Sequence, residues 1–131
     1  MSREVSLRDP LARVRGLGSA KAGAQHWWTQ RLTALALIPL TSWFIFFVLS
    51  LVQSDFAVAY TAVGQPVHAV LLIAFVVALF WHTALGLQVV IEDYVHMRWA
   101  EYALQIAVKL LCSLGALIAT FSVVRIALGH V

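Results

Sequence analysis

From Leu32 to Val52 the chain runs for 21 residues without one ionisable side chain. At about 1.5 Å of rise per residue, such a run crosses a hydrocarbon core of about 30 Å as an α-helix. A second apolar run, about 67–91, begins just after Pro66, a residue tolerated at a helix start, and stops at Glu92 and Asp93. A third, about 104–128, carries Lys109 and Arg125 near its two ends, where long side chains snorkel to opposite interfaces. The pattern predicts an all-α chain, an integral membrane bundle of three transmembrane helices forming one domain over residues 1–131. Residues 1–25 read as a polar tail, with Pro10 breaking any early helix and Gly16, Gly18, Ser19 and Gly23 loosening the approach to the membrane. Trp27 and Trp28 stand where amphipathic rings favour the headgroup layer, and Pro39 predicts a modest kink in the first span. Residues 53–65 read as a short polar connection containing Asp55 and Gly64.

Composition agrees with a bilayer as the solvent: 62% of the residues are hydrophobic, 11% are charged, and the mean hydropathy is +0.88. The apolar region starts too far into the chain for a secretory signal peptide, so the first span is expected to be retained. Cys112 is the single cysteine, which excludes an intrachain disulfide and any multi-cysteine zinc or iron-sulfur site. Charge then orients the bundle. Six of the nine basic residues, Arg3, Arg8, Arg13, Arg15, Lys21 and Arg31, precede the first span, and residues 53–66 hold none. Basic residues collect on the cytoplasmic side, so the N-terminus is expected inside and the C-terminus outside. The same cluster is no nucleic-acid signature, because no aromatic residue is interleaved with it before Trp27.

Candidate chemistry lies in WHTALGLQVVIEDYVH, Trp81 to His96. His82 sits ten residues before Glu92, about 15 Å along a helix, which places an imidazole deep in hydrocarbon. Ionisable residues at such depth are costly and mark function, here a metal or haem ligand, although a histidine hydrogen-bonded across the bundle satisfies the same position. His68 lies 14 residues from His82, about 21 Å on one helix, so the two cannot share one iron; if His82 binds haem, the opposite ligand has to come from another polypeptide. Gly86, one turn on, leaves room for a flat macrocycle or serves close helix packing. Arg31, last cation before the first span in the motif HWWTQR, reads either as a topology anchor or as the charge partner of haem propionates. Asp93 and Tyr94 read either as ordinary interfacial stops or as a quinone site, where a phenol donates a hydrogen bond and a carboxylate shuttles protons. His68 and His130 are rim residues without an assigned role.

The pattern H-x3-G-x6-DY, here His82, Gly86, Asp93 and Tyr94, resembles the hydrophobic membrane anchor of succinate dehydrogenase, respiratory complex II. The segment GLGSAKAGAQHWWTQRLTALALIPL, Gly16 to Leu40, is similar to that family's approach to its first helix, and the three spans and inside N-terminus agree. The sister anchor of that complex, its cytochrome b-type anchor, has a serine-and-arginine motif of the kind S-x3-H-R-x-[ST]-G that is absent here. The resemblance implies that His82 is one axial ligand of haem b, with the other histidine supplied by the cytochrome b-type anchor. It implies that Arg31, with His26 as a second candidate, meets the propionates, and that Tyr94 and Asp93 lie at the site of ubiquinone reduction. Glu92, immediately before Asp93, departs from the family pattern and has no assigned role.

The reading is therefore a subunit of succinate:ubiquinone oxidoreductase that anchors a flavoprotein and an iron-sulfur subunit to the cytoplasmic face of a bacterial inner membrane, the mitochondrial inner membrane being the second choice. FAD and iron-sulfur clusters belong to the partners, because this chain has neither a dinucleotide-cradling glycine loop nor a cysteine cluster. Its other surroundings are membrane lipid, with no nucleic acid. The rival readings are the anchor of a quinol:fumarate reductase and a cofactor-free three-span assembly or transport accessory protein.

Overall fold

The computed structural model describes residues 10–129, with side chains from Ala24 onward. These residues form four helices in chain order: α1, Pro10–Leu51; α2, Phe56–Gly64; α3, Pro66–Tyr94; and α4, Arg98–Leu128. The predicted all-helical class and its three long apolar helices are observed, with candidate spans at Ala24–Leu51, Pro66–Tyr94 and Arg98–Leu128. Each is longer than its apolar run. At 28, 29 and 31 residues they reach about 42 to 47 Å, which exceeds a hydrocarbon core of about 30 Å, so their terminal turns extend into the headgroup layers or the helices tilt.

Two expectations from the sequence are corrected. Pro10 does not prevent an early helix but opens one, because a proline at the first helical position lacks only an N–H that would have no intrahelical partner. The glycines that follow lower helix propensity without interrupting α1, which also runs unbroken through Pro39. Residues 1–9 of the expected tail, and His130, lie outside the described residues. The second correction is α2, which occupies most of the expected polar connection. Its sequence FAVAYTAVG holds no charge and no proline, and the extended Asp55 before it accepts the first helical bond from Ala59 N–H at 3.0 Å.

The central helix is α3, packed against α1 on one side and α4 on the other, with α2 resting on α4 and α3. Its contacts with α1 step in antiparallel register. Gln30 meets Gly86, Thr33 meets His82, Phe44 stacks on Phe75 at 4.5 Å between ring centres, and Phe47 meets His68 at 4.8 Å. His68 also packs against Trp43, and its Nδ1 lies 2.9 Å from the carbonyl oxygen of Ala62. A carbonyl only accepts, so Nδ1–H is the donor, and this rim histidine ties α3 to the end of α2.

The α3–α4 seam is tightest where Gly115 faces Phe80. A β-carbon at Gly115 would stand 2.6 Å from Cε1 and 2.9 Å from Cζ of that ring, so the glycine is what lets the helices meet there. Gly115→Ala is expected to destabilise the bundle by about 1 kcal/mol, at the low end of overpacking costs. The low figure reflects an escape route, because Phe80 borders a cleft of about 350 Å³ into which its ring can swing. A lowered thermal midpoint of the purified assembly, recovered by adding Phe80→Leu, checks this; an unchanged midpoint refutes it.

Only Phe47, Ala69, Leu72, Phe75 and Ile91 are buried apolar side chains among the described residues, while large apolar groups such as Leu35, Phe46, Val70, Leu111 and Phe121 are exposed along all three long helices. In water so much apolar surface would drive association. In a bilayer it is the ordinary exterior, where helices satisfy their backbone internally and side chains face hydrocarbon or another protein chain.

Candidate functional site

His82 sits on α3 at the level of the first membrane turns of α1 and is half-buried. Its Nδ1 lies 3.0 Å from Oγ1 of Thr33, across the α1–α3 seam. That hydroxyl is in turn 2.9 Å from the carbonyl oxygen of Thr29 and 3.0 Å from that of Gln30, so it is braced against its own helix. The cross-bundle hydrogen bond that served as the alternative to ligation is therefore present, but it occupies only one of the two ring nitrogens. Beside His82 an open groove of about 380 Å³ is walled by Ala34, Leu37, Ile38, Thr41 and Ser42 of α1. The Ser42 hydroxyl is donated to Ile38 within α1, which leaves the wall largely apolar.

Arg31 precedes Ala34 by three residues on the same stripe of α1, so it stands about 4.5 Å along the axis from the groove's near end. It is exposed, and its guanidinium carbon lies 4.4 Å from the centre of the Trp27 ring. This contact holds the cation at the rim by attraction to the ring face. The next stripe, His26, Gln30 and Thr33 at spacings of four and three, faces α3. Nε2 of His26 and Oε1 of Gln30 are enclosed there without any hydrogen-bond partner. Buried polar atoms left unpaired are uncommon and point to a missing water or group.

Gly86 faces α1. The space above it is taken by the side chain of Gln30, whose Nε2 would lie 3.8 Å from an added β-carbon. At ordinary van der Waals distance, this is the close helix packing between α1 and α3 that was the second reading of the glycine, and the groove beside His82 lies along α1 instead. Asp93 and Tyr94 end α3 and are exposed, Tyr94 by 78%. Tyr94 is twelve residues from His82, about 18 Å along the helix, so the two belong to separate levels of the molecule. Among the described residues no three histidine, cysteine, aspartate or glutamate side chains gather as a metal site.

A model of the succinate dehydrogenase/fumarate reductase transmembrane subunit family matches residues 6–118, a range that contains His26, Arg31, His82, Asp93 and Tyr94. The chain belongs to this family. Among relatives, it is 36% identical over 103 residues to the succinate dehydrogenase hydrophobic membrane anchor subunit of Rickettsia bellii, covering 79% of this chain and 82% of that one. The corresponding protein of Rickettsia typhi is 33% identical over 104 residues, covering 79% of this chain and 83% of the relative. The succinate dehydrogenase membrane anchor subunit of Reclinomonas americana is 37% identical over 79 residues, 58% of this chain and 66% of the other. No solved structure matches the chain.

Within this anchor family the protein is a multi-pass membrane subunit of succinate dehydrogenase, and its structure adds residues that sequence reading passed over. Glu92 acquires a local role. Its Oε1 accepts from Gln88 Nε2 at 2.8 Å and from Gln105 Nε2 at 3.4 Å, and Gln105 also reaches Glu101 at 3.5 Å. The extra acid thus straps the end of α3 to the start of α4 across a connection of only three residues, Val95 to Met97. Thr33 and Gln30 were likewise missed. Their spacing from His26 was visible, but nothing in the pattern indicated that this stripe of α1 is the one turned toward His82.

Proposed function

We propose that this anchor carries one axial ligand of a b-type haem, His82, and helps form the site where ubiquinone is reduced. One observation carries the reading: a half-buried histidine at membrane depth, with Nδ1 held by Thr33 and the second ring nitrogen left for another partner. The surrounding residues fit the group. A largely apolar groove adjoins the imidazole, Arg31 stands at its near end, and the unpaired atoms of His26 and Gln30 add polar capacity nearby. A bound haem b would supply a one-electron centre between the membrane faces. This chain's own work is to hold the imidazole in place, exclude water with apolar walls, and place a cation at the rim for propionates.

A second histidine for the iron would come from the cytochrome b-type anchor, which would also cover those apolar faces of this chain that lipid does not. The flavoprotein and iron-sulfur subunits, with FAD and the clusters, dock at the end of the bundle where Asp93 and Tyr94 are exposed. There the Tyr94 hydroxyl donates to a quinone carbonyl and Asp93 handles protons. The same family name includes fumarate reductase anchors; the relatives' names, all succinate dehydrogenase, support succinate oxidation, and the bacterial source of the Rickettsia relatives supports a bacterial membrane.

Affinity purification in mild detergent tests the reading directly. Four subunits in fixed ratio with a reducible b-type spectrum are expected, and a chain that purifies without the flavoprotein and without a Soret band overturns it. Orientation is tested separately. Six basic residues before the first span and none in residues 53–66 support a cytoplasmic N-terminus. A reporter fused after Val131 is therefore expected to be active outside; activity confined to the cytoplasm refutes both the orientation and the docking end.

A further inference from the structure

Thr33 Oγ1 lies within 3.0 Å of three atoms at once: the carbonyl oxygens of Thr29 and Gln30, and Nδ1 of His82. A hydroxyl has one proton to donate and two lone pairs to offer, whereas a carbonyl oxygen only accepts. Were the proton directed at His82, the hydroxyl lone pairs would face two carbonyl oxygens at 2.9 and 3.0 Å with no hydrogen between them. Directed at the carbonyls instead, the proton makes both contacts attractive and leaves the oxygen free to accept. The remaining contact then requires a hydrogen on His82 Nδ1.

Resting on the reading of His82 as an axial ligand, we propose that Thr33 is a positioning residue that holds His82 as the Nδ1–H tautomer, so that Nε2 keeps the lone pair a metal centre needs. In a neutral imidazole one nitrogen donates and the other accepts, and the bond made by the first decides the second. Because the Thr33 oxygen is itself pinned to α1, it also fixes the plane of the ring. A hydrogen bond accepted from the non-ligating nitrogen raises the basicity of the ligating one and favours the oxidised metal. Thr33 therefore sets both the orientation and the donor strength of the histidine without touching the cofactor.

The test uses the intact detergent-purified complex with Thr33→Val, which exchanges the hydroxyl for a methyl of similar size, and Thr33→Ser, which keeps the hydroxyl. Thr33→Val is expected to raise the haem midpoint potential, shift the low-spin electron paramagnetic resonance signal and weaken haem retention about 10- to 100-fold. Thr33→Ser is expected to restore all three. Thr33→Ala carries the same readout should the valine variant not assemble. Potential, signal and haem content equal to the unsubstituted complex in Thr33→Val or Thr33→Ala overturn the proposal, as does a serine variant that behaves like valine. Failure of the underlying reading looks different, because His82→Leu would then leave the haem spectrum untouched.

Discussion

Replacing His82 with leucine is expected to give an assembled complex that lacks the low-spin b-type haem spectrum. The imidazole is half-buried between α1 and α3, and a leucine side chain occupies a similar volume in the same apolar setting. The only hydrogen bond lost is the one to Thr33, whose hydroxyl proton still has the Thr29 and Gln30 carbonyls as acceptors. No polar hydrogen is therefore left unsatisfied in the seam, and leaving one unsatisfied is what usually makes such a deletion destabilising. Loss of haem with all subunits retained in the purified complex would assign the effect to ligation. A stoichiometric haem with an unchanged low-spin spectrum would refute the assignment, whereas a shifted spectrum would show a replacement ligand at the vacated position.

Removing the hydroxyl of Tyr94 is expected to lower the efficiency of quinone reduction by roughly 2- to 13-fold. The range is the rate equivalent of one hydrogen bond worth about 0.5 to 1.5 kcal/mol net. Tyr94 is 78% exposed at the end of α3, so Tyr94→Phe disturbs little of this chain's own packing, and a kinetic effect reports on what the hydroxyl meets in the assembled enzyme. Reduction of an artificial dye upstream of the quinone, and the haem content, are expected to stay at the level of the unsubstituted complex. Ordinary quinone kinetics together with unaltered affinity for a quinone-site inhibitor would leave Tyr94 an interfacial anchor.

The order and type of the long helices follow from composition because the bilayer interior offers no hydrogen bonds to an open backbone. A run such as Leu32 to Val52 has one acceptable conformation, and its length can be checked against the thickness of the core. His82 stands out for the same reason, since an ionisable side chain in such a run is costly unless something uses it. The same logic is weaker outside hydrocarbon, where water satisfies any backbone. There the start of α1 at Pro10 and the helix α2 were missed, the first set by a proline at a helix start and the second by local propensity together with a contact such as that of His68 with Ala62.

Rotation about the helix axes is what the tertiary structure alone decides. In a soluble helix an apolar stripe marks the inward face, but here nearly every face is apolar, and the pattern gives no phase. Whether His26, Gln30 and Thr33 or Trp27, Arg31 and Ala34 point at α3 is settled by interlocking contacts, Phe44 on Phe75 and Phe47 on His68, far from the residues in question. That rotation is why Gly86 meets Gln30 rather than open space, and why Thr33, a residue with no chemical signal of its own in the sequence, stands against the ring of His82. Sequence alone determined the solvent, the number of long helices and the single histidine worth explaining; packing determined which side chains surround that histidine, because in a uniformly apolar helix only shape can choose the face.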